Sequence, residues 1–393
     1  MSIFYSIQQL QGKVTVLVLQ AKNLCRSRRG FWHKKESKTQ EMQRTALGKE
    51  KNPHGGFTII EPAKQKQHRP WSDGAKKAKV TATVRKERTY KMNGMVTEIE
   101  RFALNDGPGI RTTVFLKGCN MKCAWCHNPE TISPNKELLY YPSKCISCYK
   151  CVYACPCKAQ KRINNVHMYY PNICVKCGKC ADICYAEAMV VSGKKMSVED
   201  VMAEVIQDKA YYKDSHGGLT ISGGEVLCQQ SFAEALVDAC HAEDIEAAIE
   251  TNLSFPWEKI EPLIRKLDLV MCDLKLADTD AHKKWTGIGN EQIKENIRHL
   301  AESGKPFLVR TPLIPGATDS DENIAAIAAY LAEVNTKNTM LYYELLNFNP
   351  LGDSKYKSMR RKNPFEGVKP LPTARVKELQ SIAQQAGITV RVE

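Results

Sequence analysis

Of the 16 cysteines in the 393-residue chain, eleven fall into three tight groups. The first group, in KGCNMKCAWCHNPE, holds Cys119, Cys123 and Cys126. The second and third share one spacing, C-x2-C-x2-C-x3-C: Cys145, Cys148, Cys151 and Cys155, then Cys174, Cys177, Cys180 and Cys184. Thiols this close in a turn are badly placed to bridge each other and well placed to converge on a metal. The sequence carries no recognisable secretory signal and is long enough to bury an apolar core. A disulfide scaffold is therefore not expected, and the compartment is read as reducing and oxygen-poor.

The repeated spacing is that of the runs that hold [4Fe–4S] cubes in two-cluster ferredoxins, where the fourth cysteine of a run commonly ligates the other cube. Cys155 is thus expected on the second cluster and Cys184 on the first, with Cys157 left as an inert thiol. Tyr185 stands where the first run has Pro156. The group of three raises a different question, because zinc and an iron–sulfur cube both ordinarily take four ligands. His127 could complete a zinc knuckle. Otherwise C-x3-C-x2-C, with the aromatic Trp125 before its last cysteine, leaves one iron of a cube without a protein ligand. An open position is what separates a catalytic metal from a structural one.

Such residues need a rigid support. From residue 112 onward apolar runs alternate with segments of helical periodicity. Strands are expected at TTVFLKG, GLTISGG, IEAAIET, LDLVMCDLK, FLVRTPLIPG and MLYYELLNF. Helices are expected at SVEDVMAEVIQDKAYY, SFAEALVDACHAE, NEQIKENIRHLAE and DENIAAIAAYLAEV, with ARVKELQSIAQQAG and the strand ITVRV closing the chain. Six such units predict an α/β fold, a partial (β/α)6 barrel with a parallel sheet, whose reactive groups gather at the C-terminal ends of the strands. The two four-cysteine runs interrupt its first unit. The expected domains are a barrel of residues 95–139 and 193–393, an inserted ferredoxin-like domain at 140–192, and an extension at 1–94.

Polar residues recur at the expected strand ends. SGGE, residues 222–225, closes the second strand, where glycines let the backbone approach a ligand and Glu225 can accept from an ammonium group. ETN, residues 250–252, closes the third and CDLK, residues 272–275, the fourth. Arg310 ends the fifth, where a guanidinium can pair with a carboxylate. LLNFNPLGDSKY ends the sixth. Each of these alone reads equally as ordinary strand-end polarity, and D-G-P-G-I-R at 106–111 alone reads as a turn. Cys228, Cys240 and Cys272 are expected to be buried thiols.

Together and in this order, D-G-P-G-I-R, the three-cysteine loop, Gly223-Gly224-Glu225, E-T-N and C-D-L-K resemble the radical S-adenosylmethionine (SAM) superfamily. Within it they resemble the activating enzymes of glycyl radical enzymes, from about residue 97 to residue 393. The resemblance implies a [4Fe–4S] cluster on Cys119, Cys123 and Cys126 whose open iron is chelated by the amino and carboxylate groups of SAM. Gly223, Gly224 and Glu225 would meet the amino group, and Trp125, Glu250, Thr251, Asp273, Lys275, Arg310 and Asn349 would complete the cofactor site. Asn349 stands where some relatives have His, and Val226 where many have Pro. Relatives carry Asp in place of Glu250, beside a monovalent cation, so a cation site here would rest on a longer side chain.

The resemblance further implies one-electron cleavage of SAM to methionine and a 5′-deoxyadenosyl radical, which removes a Cα hydrogen from a glycine of a large partner protein. The two further clusters would relay electrons from reduced flavodoxin or ferredoxin, or only hold the insertion together. Activators of pyruvate formate-lyase lack the insertion. The partners implied are therefore of the choline trimethylamine-lyase, glycerol dehydratase, hydroxyphenylacetate decarboxylase, isethionate sulfite-lyase or alkyl- and arylalkylsuccinate synthase kinds. A radical SAM enzyme for a small molecule or peptide, and a plain electron-transfer iron–sulfur protein, are the competing readings. The second leaves Glu225, Asp273, Lys275 and Arg310 without a task.

Charge excludes other classes. The net charge of +14 comes from the first quarter: residues 1–94 hold 21 Lys+Arg and 6 Asp+Glu, the remaining 299 hold 36 and 37. The main body is therefore not expected to bind nucleic acid, and no apolar run is long enough to suggest a membrane span. Residues 1–94 read as a solvated, disordered extension, or as sequence upstream of a start at Met92 or Met95. SRRGFWHKK looks like a twin-arginine signal, but the apolar VTVLVLQA precedes the arginines instead of following them. A cytoplasmic protein, monomeric by itself, is expected.

Overall fold

The computed structural model describes residues 90–393. The expectation for the basic N-terminal stretch thus falls, up to residue 89, outside the described residues, and Asn93 and Gly94 already belong to the first strand. The strands are β1 (Asn93–Ala103), β2 (Arg111–Leu116), β3 (Glu137–Tyr140), β4 (Gln160–Ile163), β5 (Val166–Tyr169), β6 (Met189–Ser192) and β7 (Lys194–Ser197). They continue with β8 (Gly218–Gly223), β9 (Glu246–Thr251), β10 (Leu269–Asp273), β11 (Phe307–Leu313), β12 (Met340–Asn347) and β13 (Val390–Val392). Nine of them form one sheet in the order β13-β12-β11-β10-β9-β8-β2-β1-β7. Every pair from β2 to β13 is parallel, and β1 and β7 add an antiparallel edge.

Parallel strands joined by helices are buried on both faces, which is why they read as nearly unbroken apolar runs. On one face Val114, Leu219, Ile221, Ile249, Val270, Val309 and Tyr343 pack into the main core. Helices Val198–Val205, Gln230–His241, Trp257–Lys266, Glu291–Ser303, Asp321–Val334 and Thr373–Gln384 all add side chains to that core. The alternate residues point the other way. There Ala248, Leu269, Met271, Leu308 and Tyr342 make a small apolar layer, and one step further along the strands come Ser222, Glu250, Asp273, Arg310 and Glu344.

Between β2 and β7 the chain makes two antiparallel ribbons, β3 with β6 and β4 with β5. They enclose a separate small core of Leu138, Tyr140, Ala159, Tyr169, Cys180, Ala188 and Met189, against which eight half-buried Cys, Ala and Val side chains pack. Among the described residues no helix is long and apolar enough to cross a membrane.

Candidate active site

The chain leaves β2 at Leu116 and enters the loop that carries the first three cysteines. The end of β8 fixes that loop through the backbone. Gly224 N–H donates to the Leu116 carbonyl (2.9 Å) and Glu225 N–H to the Gly118 carbonyl (2.7 Å). Such an approach leaves no room for a side chain. A Cβ on Gly223 would stand 2.2 Å from Leu116 N, and one on Gly224 would stand 2.4 Å from Gly118 O. Gly223 also has φ +125°, where only glycine is unstrained. Farther along, Lys122 and Ala124 donate to the carbonyls of Thr286 and Trp285 (2.8 and 3.0 Å). Asn120 donates to Ser254 Oγ (2.7 Å) and accepts from Asn252 Nδ2 (3.0 Å), which joins the loop to E-T-N.

The three thiols converge and are half-buried. Cys126 lies within electrostatic reach of Cys123 and Cys119, Cys119 of Glu225, Cys123 and Lys275, and Cys123 of Lys275 and Asp273. Burial raises all three thiols, Cys119 and Cys126 to about 12, so a bound metal has to displace their protons. Trp125 is buried against Trp285 and Phe365, with ring centroids 6.1 and 6.2 Å away. His127 is exposed.

Glu225 is buried and its carboxylate is largely occupied. Oε1 accepts from Thr251 Oγ1 (2.7 Å) and Leu227 N–H (3.0 Å), and Oε2 accepts from Asn252 N–H (2.7 Å). Burial pushes the carboxyl up to about 6, against the pull of these donors. Deeper in, register sets Asp273, Arg310 and Glu344 side by side on β10, β11 and β12. Arg310 donates from Nε to Glu344 Oε2 (2.7 Å) and from Nη2 to the Asn105 carbonyl (3.0 Å), and pairs through Nη1 with Glu250. The second oxygen of Glu250 accepts from Ser222 Oγ. Lys275 Nζ donates to Asp273 Oδ2 (2.5 Å).

Several expectations are corrected or refined. Arg310 is the fourth of seven residues of β11 and not its end, because Thr311, Pro312 and Leu313 continue the ladder with Leu345, Leu346 and Asn347. Cys228 is exposed, whereas Cys240 and Cys272 are buried as expected. It follows the Glu225 turn at the rim of the cysteine loop, and a Cβ on Gly118 would lie 3.3 Å from its own Cβ. Asn349 is exposed, and its Oδ1 accepts from Leu351 N–H of its own turn (3.0 Å). D-G-P-G-I-R braces the opposite strand ends. Its Arg111 is fully buried and donates to Thr220 Oγ1 (2.6 Å), the Leu219 and Pro108 carbonyls (2.9 and 3.0 Å) and Glu246 (3.1 Å). Sequence inspection gave no role to Glu344, nor to Ser222 and Asn120, although SGGE and the three-cysteine loop contain them.

In the inserted segment Cys145, Cys148, Cys151 and Cys184 line one cavity of about 80 Å³, three from the first run and the last from the second. Cys180 lies within reach of Cys174 and of Cys155. Cys155 Sγ accepts from Ala159 N–H (3.2 Å) and stands 3.7 Å from Cys157 Sγ. Among the described residues no three His, Cys, Asp or Glu side chains close on one point as ligands of a single ion do. Thiols arranged around a four-iron cube each meet a different iron and stand farther apart. Thiolates are the usual ligands of iron–sulfur clusters, so the donor chemistry of these cysteine sets suits them.

A parallel α/β sheet with an incomplete cysteine set at the C-terminal edge of its first parallel strand defines the class. Residues 113–328 match the Radical SAM superfamily. The benzylsuccinate synthase activating enzyme of Thauera aromatica is 38% identical over 307 residues, 76% of this chain and 92% of that protein. The indoleacetate decarboxylase activating enzyme of Tractidigestivibacter scatoligenes is 36% identical over 76% of this chain and 96% of its own. The isethionate sulfite-lyase activating enzyme of Desulfovibrio desulfuricans is 41% identical over 70% and 89%. The chain belongs to the radical SAM superfamily and, within it, to the activating enzymes of glycyl radical enzymes.

Proposed function

We propose that this protein installs the radical in a partner glycyl radical enzyme, with Cys119, Cys123 and Cys126 holding a [4Fe–4S] cluster whose remaining iron is left to SAM. The observation that carries this is the meeting of the three-cysteine loop with the strand ends, Cys119 beside Glu225 and Lys275, and Cys123 beside Lys275 and Asp273. A cluster that only carried electrons would not need charged groups gathered at its open side. Bound there, cluster and SAM supply the electron, the sulfonium it cleaves and the hydrogen-atom abstraction that no side chain can perform.

The chain's own residues bind, orient and exclude water. A carboxylate has about four acceptor sites; Glu225 spends three of them on Thr251, Leu227 and Asn252 and keeps one for the SAM ammonium. Gly223 and Gly224 bring backbone to the same point. Lys275, steadied by Asp273, and the two N–H groups that Arg310 keeps free are suited to the SAM carboxylate. Trp125, Phe348 and Phe365 offer an apolar wall against water. Asn349 would reach SAM only by leaving its turn. A monovalent cation would have to compete with Arg310 for Glu250, so the proposed cofactors are SAM and three [4Fe–4S] clusters, with a cation only where that ion pair opens.

Residues 140–192 are assigned as a separate domain holding two of those clusters, one on Cys145, Cys148, Cys151 and Cys184, the other on Cys155, Cys174, Cys177 and Cys180. The shared cavity supports the crossed pairing. The segment holds seven Lys+Arg and two Asp+Glu, a balance suited to an acidic donor such as reduced flavodoxin or ferredoxin. The chemistry suits a reducing cytoplasm.

The test uses anaerobically reconstituted protein with dithionite, SAM and a candidate glycyl radical enzyme. Wild type should release 5′-deoxyadenosine and methionine and give the partner a doublet EPR signal. Cys123→Ala should abolish both. Continued SAM cleavage by that variant would remove the assignment.

A further inference from the structure

The inserted segment is built from two halves that repeat each other. A single 3-10 turn, Pro142–Lys144 or Pro171–Ile173, precedes the first cysteine of each run. Ser147 and Lys176, Tyr149 and Gly178, and Lys158 and Glu187 take positive φ at matching places. Tyr140 and Tyr169 each place a phenol beside the first cysteine of a run. Tyr140 faces Met189 across one ribbon, and Tyr169 faces Gln160 across the other. Gln160 thus matches Met189, and by the same register His167 matches Leu138.

The repeat is broken at these two places only by chemistry. Leu138, Met189, Gln160 and His167 are 4, 3, 1 and 6% exposed. Burying an amide and an imidazole where Met and Leu suffice costs stability unless hydrogen bonds offset it. Their partners explain the exchange. His167 Nε2 lies 2.9 Å from Gln160 Oε1 and 3.4 Å from Cys151 Sγ, and Gln160 Nε2 donates to Cys180 Sγ (3.8 Å). His167 Nδ1 is buried without a hydrogen-bond partner. A ligating thiolate and the Gln160 carbonyl are acceptors only, so His167 carries its proton on Nε2 and Gln160 turns its amide N–H to Cys180.

We propose that His167 and Gln160 form a buried donor bridge between the two inserted clusters, His167 to the Cys151 thiolate and Gln160 to the Cys180 thiolate, and so set both reduction potentials. The bridge presupposes that residues 140–192 hold two clusters. A hydrogen bond to cluster sulfur favours the more negative, reduced state and raises the potential. One pair acting on both cubes keeps their potentials close enough for an electron to pass in small steps. His167 and Gln160 are positioning residues, since neither meets SAM.

The test is an EPR-monitored redox titration of the reconstituted full chain, with iron counted in every sample. His167→Leu and Gln160→Met copy the side chains that already pack the matching positions. His167→Leu should shift one inserted cluster to a more negative potential, and Gln160→Met the other. Neither should move the catalytic cluster, and His167→Gln, which keeps an N–H donor, should restore the first potential. Unmoved potentials in both variants at full iron content overturn the bridge. If His167→Leu loses a cluster, Gln160→Met decides alone, and a potential equal to wild type in that variant overturns the bridge. Iron for a single cluster in wild type overturns the two-cluster assignment itself, which separates the two failures.

Discussion

Arg310 carries a buried positive charge met by two carboxylates, Glu250 and Glu344. Breaking such a pair from one side leaves an uncompensated charge, which is far more costly than the net worth of the pair. Glu250 is therefore expected to stay with Arg310 in wild type, and deoxyadenosine formation should be equal in potassium and tetramethylammonium buffers. Glu250→Asp is one methylene shorter and loses its reach to the guanidinium. That variant should be several-fold slower without potassium and recover when it is added. Strong potassium activation of wild type would show that the ion pair gives way to a cation. The strand-end motifs were legible because glycines and acids there interrupt apolar runs. Arg310 lies three residues before the end of β11 and not at it. Cys228 was assigned to the interior from the general burial of free cysteines, which does not see that it starts the rim after Glu225. His167 and Gln160 had no signal at all, since only the folded halves reveal which residues match.

At the scale of elements, the six central strands and four of the five expected helices stand where apolar periodicity puts them, while SVEDVMAEVIQDKAYY divides into Val198–Val205 and Lys209–Ser215 around a 3-10 turn, Ile206–Asp208. Helix Trp257–Lys266 was hidden by Pro262 in its interior, and β1 and β7 by mixed patterns in which exposed residues outnumber buried ones. That antiparallel edge is held by a polar knot that no periodicity discloses. Asp208, fully buried, accepts from Arg101 Nε and Nη2 (2.9 and 2.5 Å) and from Thr112 Oγ1 (2.9 Å), tying β1 and β2 to the helical segment before Lys209–Ser215. The Arg101 hydrogen bonds hold the Asp208 carboxyl below its ordinary value. The unfolded chain therefore takes up this proton more readily than the folded one. The stabilisation is complete above the ordinary carboxylate range and is lost as pH falls through it towards the folded value. Asp208→Asn should lower Tm by several degrees at neutral pH and show a smaller further loss on acidification than wild type. Parallel acid profiles in thermal melts would show that the knot does not contribute.

At the scale of the whole chain, the two candidate starts, Met92 and Met95, can be told apart by their contacts. Charge alone located the change near residue 94 and left Met92 and Met95 as equivalent starts. The structure makes them unequal. Met92 C=O accepts from Val198 N–H (3.0 Å), and Asn93 and Gly94 pair with Ser197 and Met196 of β7. Met95 N–H donates to Gln229 Oε1 (2.8 Å), so its nitrogen is inside the fold and would become a charged amine in a chain begun there. Each backbone hydrogen bond is worth about 1 kcal/mol, so losing these contacts should cost on the order of 2–3 kcal/mol. A chain trimmed to begin at Met92 should keep SAM cleavage close to the full-length protein and melt a few degrees above one trimmed to Met95. The Met95 version should also lose β7 first, visible as faster amide exchange over Lys194–Ser197, because among the described residues β7 pairs with β1 alone. Equal melting and equal exchange in the two trimmed proteins would mean that β1 begins to contribute only after Met95.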